Sequence, residues 1–376
     1  MKSDDHNAIS MVAIAARHSR LQENVERAVL SVLRSGRHIG GPVVDECEKE
    51  IAEIFGFRYA VGLNSGTDAL IMGLQALGLG AGARVAVPAV SFFATTEAVM
   101  AVGAEPVFVD LLDNQPLIDP SLIPAGVDAI IPVQLFGAKA PDCTGHGVPV
   151  LSDSAQCAGW GHGRPQGVGA ALSFYPTKSL GGAGDGGAFL TDDEKLIQRV
   201  RRLGWHGQTG PHIHESTQGG IGRNSRLDPI QAAIILEHAK DLDRRVERRR
   251  GIAKRYEEAL SGRFGLIPRS DQDAVHQFVI LCGEPAKSSH GLAVNMKLRG
   301  EVVEALNEAN IASAVYYPYP MDTQPIITGR QPSLDESNCP NGANFCSQAL
   351  AIPCHAEMSD YDIDRILDLL TSLRSE

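Results

Sequence analysis

Tyr59-Ala-Val-Gly-Leu-Asn-Ser-Gly-Thr-Asp-Ala-Leu-Ile-Met-Gly-Leu-Gln-Ala-Leu-Gly78 decides the fold. Residues 59–63 form a short apolar run. It stops at the polar turn Asn64-Ser65-Gly66-Thr67-Asp68. Ala69, Leu70, Leu74 and Leu77 then recur at helical spacing, and Gly78 closes the stretch. The pattern is strand, polar turn, helix. Upstream, Leu21, Val25, Ala28, Val29 and Val32 predict a helix stopped by Gly36. A second helix runs through Val44, Cys47, Ile51 and Ile54 to Gly56.

Downstream the unit repeats. Strands are expected over 84–88, 106–110, 129–133, 148–151, 171–175 and 187–191, with a helix over 94–102. Short, nearly unbroken apolar strands alternating with helices predict an α/β fold with a mostly parallel sheet covered on both faces. A long helix over 228–260 with a charged middle carries the chain out of one domain and into the next. The first domain spans 1–244, with an N-terminal arm and helix over 1–35. A smaller α+β domain spans 245–376. It is expected to hold strands over 276–282 and 312–317, helices over 301–309 and 360–373, and a loop over 324–344.

Composition bounds what the chain does. Its 376 residues are 43% hydrophobic and 21% charged, ordinary for a globular protein with a sizeable core. The net charge is −11, the wrong sign for a nucleic-acid binder. The basic run Arg244, Arg245, Arg248, Arg249 and Arg250 is interleaved with Asp241, Asp243 and Glu247, and reads as a solvated helix face. Seven scattered cysteines without a CxxC pair signal neither a disulfide framework nor zinc, so they read as reduced cytosolic thiols. His6, His18, His162, His212, His214 and His290 show no metal spacing, and no metal is expected. The acidic start and the short apolar stretch over 9–16 fit no secretory signal. No run reaches the ~20 apolar residues of a membrane helix. A cytoplasmic protein is expected.

In an open α/β sheet, ligands sit beyond the carboxyl ends of the strands. Four groups stand there. Ser65-Gly66-Thr67-Asp68 opens a helix, whose free N–H groups and dipole suit a phosphate, although an ordinary helix cap would read the same. Phe92 follows a strand end, where an aromatic ring can stack on a flat ligand. Asp153 closes a strand, with Gln156 one turn on. Lys178 sits in Ser173-Phe-Tyr-Pro-Thr-Lys-Ser-Leu-Gly-Gly-Ala-Gly-Asp-Gly-Gly187, a glycine-dense and almost uncharged setting. An isolated lysine of this kind suggests a desolvated amine able to form a Schiff base. Aldehyde, ring nitrogen, phenol oxygen and phosphate together describe pyridoxal 5'-phosphate (PLP).

In these motifs, and in Ser35-Gly-Arg-His-Ile-Gly-Gly-Pro42, Gly184-Asp-Gly-Gly187 and Asn224-Ser-Arg-Leu-Asp-Pro-Ile-Gln-Ala-Ala233, the chain resembles the DegT-like (DegT/StrS) nucleotide-sugar aminotransferases over nearly its whole length. The resemblance implies a fold-type-I PLP-dependent transferase, with a seven-stranded, mostly parallel sheet between helices and a smaller C-terminal domain. It implies PLP bound covalently to Lys178, with pyridoxamine phosphate as the intermediate form. Asp153 matches the partner of the ring nitrogen, Gln156 that of the phenol oxygen, and Phe92 the stacking aromatic. Gly66, Thr67, Asp68 and Ser173 match the phosphate cradle. Asn224 matches a residue that reaches the neighbouring subunit's phosphate, which implies a homodimer with shared sites. Arg226, Tyr316, Tyr317 and His206 are candidates for substrate contacts. The implied reaction moves an amino group from glutamate to a keto group of a nucleotide-linked sugar, in polysaccharide or amino-sugar synthesis. Trp205-His-Gly-Gln208 and Gly222-Arg-Asn-Ser-Arg226 resemble the branch acting on UDP-2-acetamido-3-keto-hexuronates, while 209–215 lacks the arginines common there. Another PLP reaction on the same scaffold, such as dehydration, and a non-catalytic regulatory role are the alternatives.

Overall fold

The structure, a computed structural model, describes residues 8–157, 164–216, 220–286 and 288–373. Two helices come first, α1 (Ile14–Ser35) and α2 (Pro42–Phe55). They end on Gly36 and Gly56, whose φ of 68° and 72° is the left-handed cap that glycine adopts without strain. The stretch that decided the fold forms β1 (Tyr59–Leu63) and α3 (Gly66–Ala76). There follow β2 (Arg84–Pro88), α4 (Ala94–Ala101), β3 (Glu105–Val109), β4 (Ala129–Ile130), β5 (Leu151–Asp153), β6 (Gly169–Ser173), β7 (Gly187–Thr191) and α5 (Glu194–Gly204).

These strands make one sheet in the order β1-β7-β6-β5-β4-β2-β3. Its two ladders are joined by the parallel bridges Ile130–Val150 and Val133–Asp153. Only β7 runs antiparallel to its neighbours. The mostly parallel seven-stranded sheet expected from sequence is therefore the one observed. Two strands are shorter than expected. The run over 129–133 narrows to Ala129–Ile130 plus the bridge at Val133, because Pro132 has no N–H for a ladder. The run over 148–151 begins as a strand only at Leu151, past Pro149.

Alternation along the strands feeds two cores. Ala171 and Phe189 point to one face, with Leu70, Leu74, Val85 and Val200. Ala170, Leu172, Ala188 and Leu190 point to the other, with Ile51, Phe55 and Ile235.

The hairpin β8 (Gln208–Gly210) and β9 (Ile213–His214) precedes a helical pair. The single helix expected over 228–260 is two, α6 (Pro229–Ala239) and α7 (Leu242–Leu260). Arg245 Nη2 caps the carbonyl of His238 at 2.8 Å, holding the break. Leu242 and Val246 of α7 pack with the second core above. Ile252, Tyr256 and Leu260 pack with β11 (Phe278–Leu281) in a third.

The sheet of the C-terminal half is β10 (Gly265–Leu266), β11 and β12 (Ala349–Ile352), all antiparallel. Around it lie α8 (Ser289–Glu308), α9 (Pro325–Thr328), α10 (Pro340–Gln348) and α11 (Asp360–Leu373). Three expectations are corrected here. The helix placed at 301–309 starts a dozen residues earlier, capped by Ser288. The segment 312–317 makes one bridge, Ala314–Ala351, rather than a strand. The loop over 324–344 contains α9 and the start of α10, each opened by a proline. Ile9 pairs with Ile311 of this half. Among the described residues no helix is long and apolar enough to cross a membrane. The seven cysteines are buried, and no disulfide joins them.

Because β1, β2, β5 and β6 run parallel, Ser65, Ser91, Asp153 and Ser173 emerge at one edge of the sheet. Close packing at Gly187 fixes this edge. A Cβ there would fall 2.3 Å from the carbonyl carbon of Ser65 and 2.5 Å from the nitrogen of Gly66. Both are backbone atoms that cannot swing aside. Gly187→Ala is therefore expected to cost about 2 kcal/mol or more, measured as a lower urea midpoint. An unchanged midpoint would show that the two turns do not touch.

Candidate active site

A cavity of about 620 Å³ opens at that edge, closed on its far side by the C-terminal half. Gly66, Thr67, Phe92, Asp153, Gln156, Ser173 and Lys178 line it, with Tyr316 and Tyr317 opposite. The sequence had placed all nine in the site.

Ser65 caps α3 by accepting the Asp68 N–H at 3.0 Å, so the N–H groups of Gly66 and Thr67 head the helix at the cavity wall. A Cβ on Gly66 would meet Ser173 Cβ at 3.0 Å and Leu172 O at 3.1 Å. Only glycine lets the helix start lie this close to the end of β6.

Asp153 is 5% exposed at the end of β5. Thr95 Oγ1 donates to its Oδ2 at 2.8 Å, and the Ala155 N–H donates to Oδ1 at 3.1 Å. Ser91 and Thr95 share a further hydroxyl bond of 2.7 Å. Burial raises the pKa of the Asp153 carboxyl. The bonds from Thr95 and Ala155 and the charge of Lys178 oppose this without overcoming it. The Lys178 amine moves the other way: burial lowers its pKa, against the pull of Asp153.

The loop bearing Lys178 is held by its carbonyls. Arg17 donates Nη2 to Pro176 O at 2.7 Å and Nη1 to Lys178 O at 3.1 Å. Arg245 Nη1 donates to Ser179 O, and His238 Nδ1 to Gly181 O at 2.6 Å. Burial pushes His238 down to about 4, so it holds this bond as a neutral imidazole. The glycines of the loop serve close approach. A Cβ on Gly181 would stand 2.6 Å from Tyr175 O.

Gln156 Oε1 accepts the Phe136 N–H at 2.6 Å, and Nε2 donates to Tyr317 Oη at 2.9 Å. This orients the amide and leaves one Nε2–H. Phe136 pays for the arrangement with a φ of 56°, a strained value for a residue with a side chain.

Four residues singled out by sequence stand elsewhere. Asp68 pairs with Arg223 Nη1 at 3.2 Å. Arg226 stacks on Trp205 at 4.6 Å, and Asn224 bridges to Trp205 through its backbone. His206 is exposed at a φ of 59°. Two residues that sequence reading passed over do line the cavity, His276 and Arg249. His276 sits just before a strand and carries no motif. Arg249 belongs to the basic run expected to be solvated, and that expectation is corrected: Arg245 is 4% exposed and Arg249 faces the cavity. No group of three or more His, Cys, Asp or Glu able to hold a metal occurs among the described residues. His6 and His162 lie outside them.

The donor set fits PLP: a helix start free for phosphate, a buried acid and an amine all line one cavity of about 620 Å³. This fold and cavity are those of a fold-type-I PLP-dependent transferase. Residues 19–371 match the DegT/DnrJ/EryC1/StrS aminotransferase family, and the chain belongs to it. It is an aminotransferase of a PLP-dependent family. It is 34% identical to the UDP-N-acetyl-3-dehydro-alpha-D-glucosamine 3-aminotransferase of Acidithiobacillus ferrooxidans, over 97% of this chain and 98% of that one. It is 31% identical to the UDP-2-acetamido-2-deoxy-3-oxo-D-glucuronate aminotransferase of Pseudomonas aeruginosa, over 97% and 100%. The crystal structure of S. venezuelae DesV in complex with a ketimine intermediate matches with a TM-score of 0.86 at 30% identity, over 98% of this chain and 100% of that one.

Proposed function

We propose that the protein moves an amino group from glutamate to a keto group of a nucleotide-linked sugar, using PLP held at Lys178. The observation that carries this is the meeting of Lys178 and Asp153 in one cavity headed by the start of α3. The activities of the relatives support the sugar substrate.

PLP supplies an aldehyde that condenses with amines and a ring that accepts electrons. The N–H groups of Gly66 and Thr67, with Ser173, would hold its phosphate, and Asp68 would serve by starting the helix. Asp153 would hold the ring nitrogen, Phe92 the ring face, and Gln156 the phenol oxygen through its remaining Nε2–H. Burial lowers the pKa of Lys178, which shifts its amine toward the neutral form that a nucleophile and base needs. With the donor seated, the Lys178 Nζ would take the proton from the donor's Cα and deliver it to the cofactor carbon that keeps the nitrogen.

The reading includes a homodimer. Asn224, Arg226 and His206 stand outside their own cavity, and nearby Ile221 is 78% exposed. That placement suits residues that complete a neighbour's site. Seven cysteines without a disulfide suit the cytoplasm.

The test is spectroscopic. Glutamate added to the holoenzyme should convert the aldehyde form of the cofactor to pyridoxamine phosphate, and a UDP- or dTDP-linked keto sugar should reverse it. A cofactor that glutamate leaves unchanged ends the proposal.

A further inference from the structure

A second, much smaller cavity lies beside the loop that carries Lys178. It measures about 20 Å³, and it is lined by the start of α1 and by Pro176 and Thr177 of the loop. Three guanidinium groups, of Arg17, Arg245 and Arg249, stand on its wall with one carboxylate, that of Glu357. Glu357 is bonded to Arg244 at 3.4 Å, and Asp241 answers Arg245 at 3.5 Å.

Arg17 is the cation left over. It is 7% exposed, and its Nη1 and Nη2 are engaged by the carbonyls of Lys178 and Pro176. Its Nε is buried and, among the described residues, has no hydrogen-bond partner. No described Asp or Glu oxygen comes within the 4.0 Å of an ion pair with it. Arg17 also stands at the first turn of α1, where the helix dipole is positive and disfavours a cation. This helix end has no cap. Ala13 offers no side-chain oxygen, and no acidic residue occupies the first turn. The first backbone bond of α1 is Arg17 N–H to Ala13 O at 3.0 Å, so the N–H groups of Ile14, Ala15 and Ala16 have no acceptor among the described residues. A desolvated cation at the positive end of an uncapped helix calls for negative charge.

A space of this size holds one occupant as large as a water molecule or a halide ion, and is too small for a carboxylate or a phosphate. Water would answer the Nε–H and leave the charge unmet. We propose that the start of α1 binds a single halide-sized anion, chloride in solution, held by Arg17 Nε and the head of the helix, and that this ion braces the Lys178 loop. The link to the loop is Arg17 itself, whose two terminal nitrogens bond the carbonyls of Pro176 and Lys178. The ion takes no part in the amino transfer proposed above, and it is bound whether or not that reading holds.

The test uses the full chain loaded with PLP, so that the start of α3 is filled, in chloride and in gluconate at equal ionic strength. Gluconate is too large for the cavity. Chloride at about ten times its dissociation constant should raise the melting midpoint by roughly 1–3 °C. It should slow amide hydrogen exchange over residues 174–182 by up to about 10-fold. In crystals soaked in bromide, an anomalous peak should lie beside Arg17 Nε. Ala13→Asp supplies the missing charge and cap from the chain itself. It should melt at or above the unaltered protein in chloride, with a midpoint that no longer depends on chloride. Arg17→Gln should lose the response as well, and if that variant fails to fold, Ala13→Asp still decides. Any of four results overturns the proposal: equal midpoints in chloride and gluconate for the unaltered protein, exchange over 174–182 that ignores chloride, a full chloride response kept by Ala13→Asp, or water in place of bromide at the start of α1. If the chain takes up no PLP, it is the functional reading that has failed, and the Ala13→Asp comparison is made on the chain without it.

Discussion

Replacing Lys178 with alanine is expected to lower kcat/KM for amino transfer by at least about 10,000-fold, because in the proposed function one side chain would both hold the cofactor and move the proton at the donor's Cα. The bound cofactor should lose the absorbance of its lysine-linked form, and added ethylamine should restore part of the rate. Retention of more than a hundredth of the activity would show that another group carries the proton. The same residue should behave oppositely toward stability. Burial lowers the pKa of its amine, so the folded chain binds that proton less tightly than the unfolded chain. Stability contributed by this group therefore rises with pH, from the lowered value up to the ordinary lysine value. Below that window the charged, buried amine is a standing cost. Lys178→Met apoprotein should accordingly melt above the unaltered apoprotein at neutral pH, with the gap closing toward alkaline pH. A variant that melts lower at neutral pH would mean that the amine is better solvated than its surroundings indicate.

Asp153→Asn is expected to cost roughly 100- to 10,000-fold in kcat/KM, read as the 3–5 kcal/mol lost on breaking a buried charge pair. In the proposed function the carboxylate would keep the ring nitrogen protonated, which an amide cannot do. The pH dependence gives a second readout. Burial raises the pKa of the free Asp153 carboxyl, whereas holding a protonated ring requires it ionised. Affinity of the apoprotein for PLP should therefore fall as pH drops through that raised value. Asn at this position removes the titration, so the fall should disappear. An Asp153→Asn protein with the same acid limb would assign it to another group.

Much of this site could be read from the chain. Lys178, Asp153, Gln156 and the Ser65-Gly66-Thr67 turn were legible because each lies within a few residues of a strand end, and parallel strands deliver their carboxyl ends to one edge. Thr95 was not legible as the partner of Asp153. It lies inside α4, and only the packing of α4 against the sheet brings its hydroxyl within 2.8 Å. The clamp on the lysine loop was hidden for the same reason. Arg17, His238 and Arg245 come from three different helices. In sequence, a buried arginine in a helix rich in charge looks like its solvated neighbours.

By itself, then, the order of residues determined the alternation of strands and helices, the mostly parallel sheet, and the amine and acid at its edge. Periodicity and strand-end chemistry are local, and a linear chain displays them. The tertiary structure alone decided which basic side chains are desolvated, which carbonyls they satisfy, and that Arg249 rather than Arg226 faces the cavity. Those outcomes depend on what packs across from a residue. Burial and counter-charge are properties of the space around a group, and they exist only once distant segments have met.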